Sequence, residues 1–190
     1  MENTNILIVG VGGQGIVLAG DLITMAARKA GYDAKAAEIH GMSQRGGSVL
    51  SEVRFGKEVF SPIIPATDAD IVLAFELLEG LRAIPRLKKD GVLIVNDHKI
   101  MPSSVTYGAG VYPMDVKEQI AEKNSSSIII DATNMATSVG NSRTVNSIMM
   151  GVMAKNLDIP KDCWIEAIKA LVKPEYVEVN IKAFNAGYDL

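Results

Sequence analysis

The sequence predicts an α/β fold built on a mostly parallel sheet, and three observations carry that expectation. Short continuous apolar runs recur along the chain, as in Ile6-Leu7-Ile8-Val9 and Ile71 to Phe75. Runs of this kind mark strands buried on both faces. They alternate with segments whose apolar residues repeat every three or four positions, the period of a helix packed on one side. A glycine-rich turn, Gly10 to Gly15, joins the first run to the first helical segment, so the chain opens as a β-α-β unit.

The first helix is expected from Ile16, Ala19, Leu22, Ile23, Ala26, Ala27 and Ala30, with Gly31 as its stop. Ala34 to Ile39 follows as a second strand. Val49, Val53 and Phe55 then share one side of an alternating strand, and Gly56-Lys57 is read as a hairpin turn into Glu58-Val59-Phe60. This makes an antiparallel hairpin insertion in the sheet. After the strand at 71–75, a helix is expected over 77–87, with Pro85 bending or ending it. Further strands are expected at 91–96, weakly at 106–112 across glycines, and at 127–130. Helices are expected over 116–123, 144–156, 161–171 and 176–186. With no repeat or low-complexity linker, the whole of 1–190 reads as a single Rossmann-like domain with a helical C-terminal region.

Composition bounds the function. The 190 residues are 48% hydrophobic and 22% charged, with a formal net charge of -3, a balance suited to a globular protein. There is no cluster of Lys and Arg of the kind that binds nucleic acid, and no apolar run of the roughly 18 residues that would suggest a membrane helix. The N-terminus lacks the basic start and apolar stretch of a signal peptide, so a cytoplasmic location is expected. The single cysteine, Cys163, cannot ligate an iron–sulfur cluster, which takes about four thiolates. With only His40 and His98 besides, no metal site is expected.

Gly10, Gly12 and Gly15 satisfy the G-x-G-x-x-G pattern in its strand–turn–helix setting. Glycines let the backbone turn tightly and approach a ligand, and the helix start offers free N–H groups to an anion. Glu38 ends the second strand where a ribose-binding acid stands in dinucleotide sites. Two readings follow from spacing: a nucleotide site, or glycines that merely permit close helix–sheet packing. Gln14 adds an amide donor and acceptor at the mouth of the turn.

A second loop is more specific. Gly12-Gly13-Gln14-Gly15 is followed by His40-Gly41-Met42-Ser43-Gln44-Arg45-Gly46-Gly47. The two loops in this order resemble the gamma-type domain of 2-oxoacid:ferredoxin oxidoreductases, and the Met-Ser-Gln-Arg-Gly-Gly form resembles the small (beta) subunit of the indolepyruvate type. Asp70 to Glu76 with Glu79, Gly140 to Asn146, and Asn180 to Gly187 with Phe184 are similar to the same family, so the likeness spans essentially the whole chain. Glu38 then becomes a coincidental match, since its strand runs directly into the second loop.

The resemblance implies a subunit, inactive alone. Its partner would be a large (alpha) subunit carrying thiamine diphosphate and iron–sulfur clusters, which passes electrons to ferredoxin. The complex would decarboxylate indolepyruvate and other aryl pyruvates oxidatively, with coenzyme A taking the acyl group. The alternatives are a gamma subunit acting on pyruvate, branched-chain 2-oxoacids or 2-oxoglutarate, and a stand-alone NAD- or FAD-binding protein. The residues agree with a subunit: there is no cluster-ligand set, nucleophile–base set or carboxylate pair at a recognisable spacing.

No catalytic residue is assigned. The candidate cofactor-contacting set is Gly10, Gly12, Gly13, Gln14 and Gly15, with Ser43, Gln44, Arg45, Gly46 and Gly47, and with Asn141, Arg143 and Asn146. Arg45 has the planar fork that clamps a phosphate or carboxylate, or it makes a salt bridge within the chain or at an interface. Ser43 and Gln44 bond the same ligand, or cap the loop. Asn141, Arg143 and Asn146 stand at a helix start, where they either cap it or line the site beside the first glycine turn. His40 is read as a hydrogen-bonded loop residue. Met149, Met150 and Met153 are read as packing ahead of a substrate-lining role, Cys163 and Trp164 as packing, and Asp97-His98-Lys99, which follows a strand end, as a solvated loop ahead of a cleft lining.

Overall fold

The computed structural model describes residues 3–40, 47–108 and 110–190. Strands β1 (Thr4–Val11), β2 (Asp33–His40), β3 (Ser48–Gly56), β4 (Ala69–Ala74), β5 (Leu87–Asn96) and β6 (Ile128–Ile130) form one sheet in the order β2-β3-β1-β4-β5-β6. β1, β4, β5 and β6 are mutually parallel, and β3 runs antiparallel to both β1 and β2. The expected α/β architecture with a mostly parallel sheet and one antiparallel insertion is therefore present.

The arms of the insertion differ from expectation. Glu58-Val59-Phe60 is not a strand. The antiparallel partner of β3 is β2, paired from Asp33↔Gly56 to His40↔Val49, so β2 and β3 are themselves the hairpin. Past Gly56 the chain leaves the sheet. Val59 N–H donates to Asp33 Oδ2 at 2.8 Å, which folds the segment over the edge strand instead of extending it. β3 fits between β1 and β2 because both its faces are satisfied. Val49, Val53 and Phe55 enter one core. On the other face, buried Glu52 accepts from Arg86 at 2.7 Å and from Ile64 N–H at 3.0 Å.

The continuous apolar runs arise because the sheet is covered on both sides. On one face Ile6, Ile8, Ile71 and Leu73 meet α1 (Ile16–Lys29) and the C-terminal helices, with Met149, Met153, Trp164 and Phe184 in the same core. On the other, Leu7, Val9, Val72, Leu93 and Val95 meet α2 (Leu77–Ala83) and, further along the chain, Tyr112, Val116 and Ile120. Pro85 ends α2 by converting its last turn to a 3-10 helix over Ile84–Arg86. Among the described residues the weak strand expected over 106–112 is absent: α3 (Ser103–Thr106) ends at its first position, Tyr107 and Gly108 form a turn, and 110–112 belong to no regular element. Gly108 there has φ +75°, and of its large side chains Tyr107 and Val111 are exposed while only Tyr112 is buried.

Helix α4 (Val116–Lys123) matches its expectation, and α5 (Ala132–Val139) was not anticipated. Ala132, Met135, Ala136 and Val139 give it a short apolar stripe that packs on the core, Asp131 caps its start by accepting from Asn134 N–H, and Gly140 ends it at φ +112°. α6 (Val145–Ala154), α7 (Lys161–Leu171) and α8 (Pro174–Tyr188) complete the chain. The methionines of α6 are fully buried and Trp164 is 2% exposed, as packing requires, whereas Cys163 is only half-buried.

α6 and α8 cross at backbone contact. A Cβ on Gly187 would stand 2.1 Å from the Ile148 carbonyl oxygen, and one on Gly151 2.2 Å from that of Phe184. Helical Gly→Ala ordinarily gains about 1 kcal/mol. Here the two helices must separate, so Gly187→Ala is expected to destabilise the fold by about 2 kcal/mol, as overpacking does. Equilibrium urea unfolding measures it, and a gain in stability would contradict the close crossing.

Candidate functional site

The glycine turn lies where β1 passes into α1, at the carboxyl ends of the parallel strands. Gln14 organises it. Its Oε1 accepts the Val11 N–H at 2.7 Å, and its Nε2 donates to the Phe75 carbonyl at 2.9 Å, beyond the end of β4. Both ends of the amide are therefore structural. Gly10 and Gly15 are required by packing. A Cβ on Gly10 would stand 2.7 Å from Ile16 Cδ1, and Gly15 holds φ +74° with Asn146 Nδ2 2.5 Å from its Cβ position. Asn146 occupies that space and donates to the Gly15 carbonyl at 2.8 Å. Gly13 is different: φ is +100°, nothing lies within 4 Å of its Cβ position, and it faces open space.

Gly12 N–H donates to the Gly47 carbonyl at 3.0 Å, so the first glycine turn is tied to the base of the second loop. Ser43, Gln44, Arg45 and Gly46, which carry the rest of that expectation, lie outside the described residues. Glu38 sits on β2, one strand beyond β3. Two strand spacings put it about 10 Å from β1, which removes it from the position of a ribose-binding acid.

Gly13, Gln14 and Gly15 line a cleft of about 470 Å³ together with Arg143 and Asn146. The two separate sequence segments are thus brought to one site, while Asn141 faces an adjoining groove. Asn141 Oδ1 accepts the Arg143 N–H at 3.0 Å and caps a 3-10 turn, Ser142–Thr144. The exposed Arg143 side chain extends from that turn. α1 begins at Gly15 without a side-chain cap, leaving its first N–H groups and its positive dipole end to the cleft.

Phe75, Asn96 and Thr133, which sequence reading missed, line the opposite wall with His98, for which a cleft lining was the less favoured of two readings. Asn96 is buried at the end of β5. Its Nδ2 donates to Thr133 Oγ1 at 3.2 Å, and its Oδ1 accepts from Ala132 N–H at 3.1 Å. The rule that ligands gather outside strand carboxyl ends was the available signal. His98 is half-buried in this wall and not on a solvated loop, whereas Asp97 turns away to pair with Lys117.

Behind the wall, fully buried Glu76 accepts from Glu79 N–H at 2.8 Å, Ile100 N–H at 3.2 Å and Tyr112 Oη at 2.7 Å. Burial, then the bond to Glu76, holds the Tyr112 hydroxyl far above the usual tyrosine range. These bonds tie Ile100 and Tyr112 to the start of α2, close in sequence to His98 of the cleft wall.

The cleft offers amide and backbone donors, one guanidinium and a helix start, and no carboxylate among its described lining residues. It suits an anionic group such as a phosphate. Iron–sulfur ligation does not fit, since Cys163 is the only cysteine in the chain.

Two outcomes test this geometry. Gln14→Ala leaves Val11 N–H and one bond to the Phe75 carbonyl unmet, and a loss of about 2 kcal/mol is expected in thermal or urea unfolding. Tyr112 has a raised folded-state pKa, so its contribution is complete below the unfolded value of about 10 and is lost as pH rises above it. The unfolding free energy of Tyr112→Phe should accordingly fall less steeply above pH 10 than that of the unaltered chain. Equal slopes would contradict the buried Tyr112–Glu76 bond.

Comparison with known proteins identifies the family. The family model of pyruvate ferredoxin/flavodoxin oxidoreductase matches residues 5–190. An indolepyruvate oxidoreductase subunit IorB of Pyrococcus horikoshii is 41% identical over 98% of this chain and 95% of its own. The common gamma subunit of pyruvate/ketoisovalerate oxidoreductases of Pyrococcus furiosus is 27% identical over 95% and 92%. The crystal structure of a keto/oxoacid ferredoxin oxidoreductase gamma subunit from Geobacter sulfurreducens superposes with a TM-score of 0.72 at 25% identity, covering 98% of this chain and 96% of that one. With the family model covering almost its full length, the chain belongs to the pyruvate ferredoxin/flavodoxin oxidoreductase family.

Proposed function

We propose that this chain is the small subunit of an indolepyruvate:ferredoxin oxidoreductase. The observation that carries this reading is the much higher identity to the indolepyruvate subunit than to the pyruvate/ketoisovalerate gamma subunit, at nearly full coverage of both. The Met-Ser-Gln-Arg-Gly-Gly loop supports the same choice.

In this reading a large subunit carries the thiamine diphosphate and iron–sulfur clusters, which supply decarboxylation and electron transfer to ferredoxin. The small subunit presents its carboxyl sheet end to that partner. Its own residues bind and position. Gln14 and Asn146 hold the glycine turn, the open edge at Gly13 admits a ligand close to backbone, and Arg143 with the uncapped start of α1 balances a phosphate of coenzyme A at the subunit junction. Arg45 is assigned to the same anion contact on the strength of the sequence motif alone. Catalysis by the isolated chain is not expected, because the cofactors carry the chemistry. The location proposed is cytoplasmic. No helix among the described residues is long and apolar enough to cross a membrane.

Reconstitution tests the reading. Purified small and large subunits are assayed apart and together for coenzyme A-dependent reduction of ferredoxin by indolepyruvate. Activity is expected only in the mixture, with pyruvate a poorer substrate. Full activity from the large subunit alone would overturn the proposal, and a preference for pyruvate would move the chain to the gamma-subunit alternative.

A further inference from the structure

The amino end of the sheet carries both a knob and a groove. The segment between β3 and β4 leaves the sheet after Gly56 and presents Phe60, 86% exposed, and Ile63, 52% exposed. At the same end, Ala69 pairs with Leu87 but Ile71 with Val92, so Lys88 to Gly91 bulge out of β5. Between that bulge and the chain after α6 lies a groove of about 510 Å³. Ile71, Val92 and Leu157 give it an apolar floor, and the exposed Lys89, Asp90 and Asp158 form its rim.

The knob, Phe60, is held from both sides. Val59 and Ile64 are buried in the chain around it. Val59 N–H donates to Asp33 Oδ2 at 2.8 Å, and its carbonyl accepts from Lys35. Arg54 Nη1 donates to the Ser61 carbonyl at 3.0 Å and to that of Ile63 at 3.1 Å. Ile64 N–H donates to buried Glu52 at 3.0 Å, and the Ile64 carbonyl accepts from Arg86 at 3.3 Å. The backbone is thus fixed before and after Phe60 while the ring is left in solvent. A pre-ordered aromatic of this kind loses little entropy on docking, and such rings are common anchors of protein interfaces.

Knob and groove also match in charge. Lys57 and Glu58 precede the knob, and their side chains have no hydrogen bond or ion pair with any described residue. The same holds for Lys89, Asp90 and Asp158 on the rim. The two rim carboxylates suit Lys57, and Lys89 suits Glu58, an arrangement that selects a partner and sets its register. Within one chain the two features stay apart, since the ring is exposed and the groove is open. A two-fold axis across the strands brings two amino ends together and seats each knob in the other groove. The pair then closes on itself with two identical contacts.

We propose that the amino end of the sheet is a self-association surface, on which two copies of this chain pair with Phe60 of each in the Ile71, Val92 and Leu157 groove of the other. The inference goes beyond the proposed function and does not rest on it. The pairing leaves the glycine-turn cleft at the other end of the sheet free, so each copy keeps its carboxyl end for a large subunit.

Sedimentation velocity of the full chain tests this, at loadings from about 1 to about 100 µM, which span micromolar affinities. A monomer–dimer equilibrium is expected. Phe60→Ala should weaken it about a hundredfold, because each dimer loses two rings at about tenfold apiece. Glu58→Lys and Lys89→Glu should each weaken it, and an equal mixture of these two variants should restore it, because reciprocal pairing then sets opposite charges together again. Circular dichroism melts of these exposed variants control for folding. A chain that stays monomeric throughout, a dimer unaltered by Phe60→Ala, or a mixture no more associated than its components would overturn the proposal. If Phe60→Ala instead weakens only assembly with the large subunit, the knob is a contact for that partner and the proposal fails.

Discussion

The carbonyl of Phe75 is the point on which the carboxyl end of the sheet depends. It accepts from Gln14 Nε2 at 2.9 Å and from Asn96 Nδ2 at 3.4 Å, while the Phe75 N–H donates to Val9 at 2.9 Å. One residue therefore ties the turn after β1 to the ends of β4 and β5, and through Asn96 to the start of α5. The missing Cβ of Gly10 is part of this arrangement, since its position lies 3.2 Å from Phe75 Cβ. Removing one member would leave buried polar groups without partners, at a cost of about 1–3 kcal/mol each. The cleft keeps its shape for that reason, and the side chains left to face its open space are those not used in the clamp.

The insertion of β3 changes what the G-x-G-x-x-G turn can do. In a sheet where β2 lies beside β1, an acid ending β2 reaches a nucleotide ribose. Here β3 separates them, and Glu38 moves with β2. What comes beside the glycine turn instead is Gly47, directly before β3, which accepts from Gly12 N–H. The same glycine spacing is thus coupled to a second glycine-rich loop. This is the physical link between two segments that sequence likeness alone had only placed in order, and it is why the turn serves a subunit junction in the proposed reading and not a free-standing nicotinamide site.

How much was legible follows from which forces were local. Ile6 to Val9, Ile71 to Phe75 and the repeats of α1, α6, α7 and α8 are dense local patterns, and their elements lie close to where they were expected. Residues 58–60 look like a strand because Val59 and Phe60 favour one, but the bond that Val59 N–H donates to the Asp33 carboxylate draws the backbone off the sheet, and no local pattern announces that. α5 carries a short apolar period, Ala132, Met135, Ala136 and Val139, between caps at Asp131 and Gly140, so its signal is present in the sequence, but it spans only two turns and two of its four residues are alanines. The meeting of Gly15 with Asn146 was anticipated as a shared strand end. Asn96 and Thr133 were not, because their role is to bond one another across a distance in sequence. Gln14 was noticed for its amide, and the structure shows both ends of that amide turned inward.

The central claim is that the carboxyl end of the sheet, from the glycine turn across to the Ser142–Thr144 turn, faces the large subunit and the ligand. Hydrogen–deuterium exchange of the chain, alone and in the reconstituted complex, tests it most directly. The account predicts new protection in the backbone of 12–18, 98–101 and 141–146 on assembly. Protection confined to the opposite end of the sheet, at 57–65 and 88–91, with the glycine turn unchanged, would contradict it.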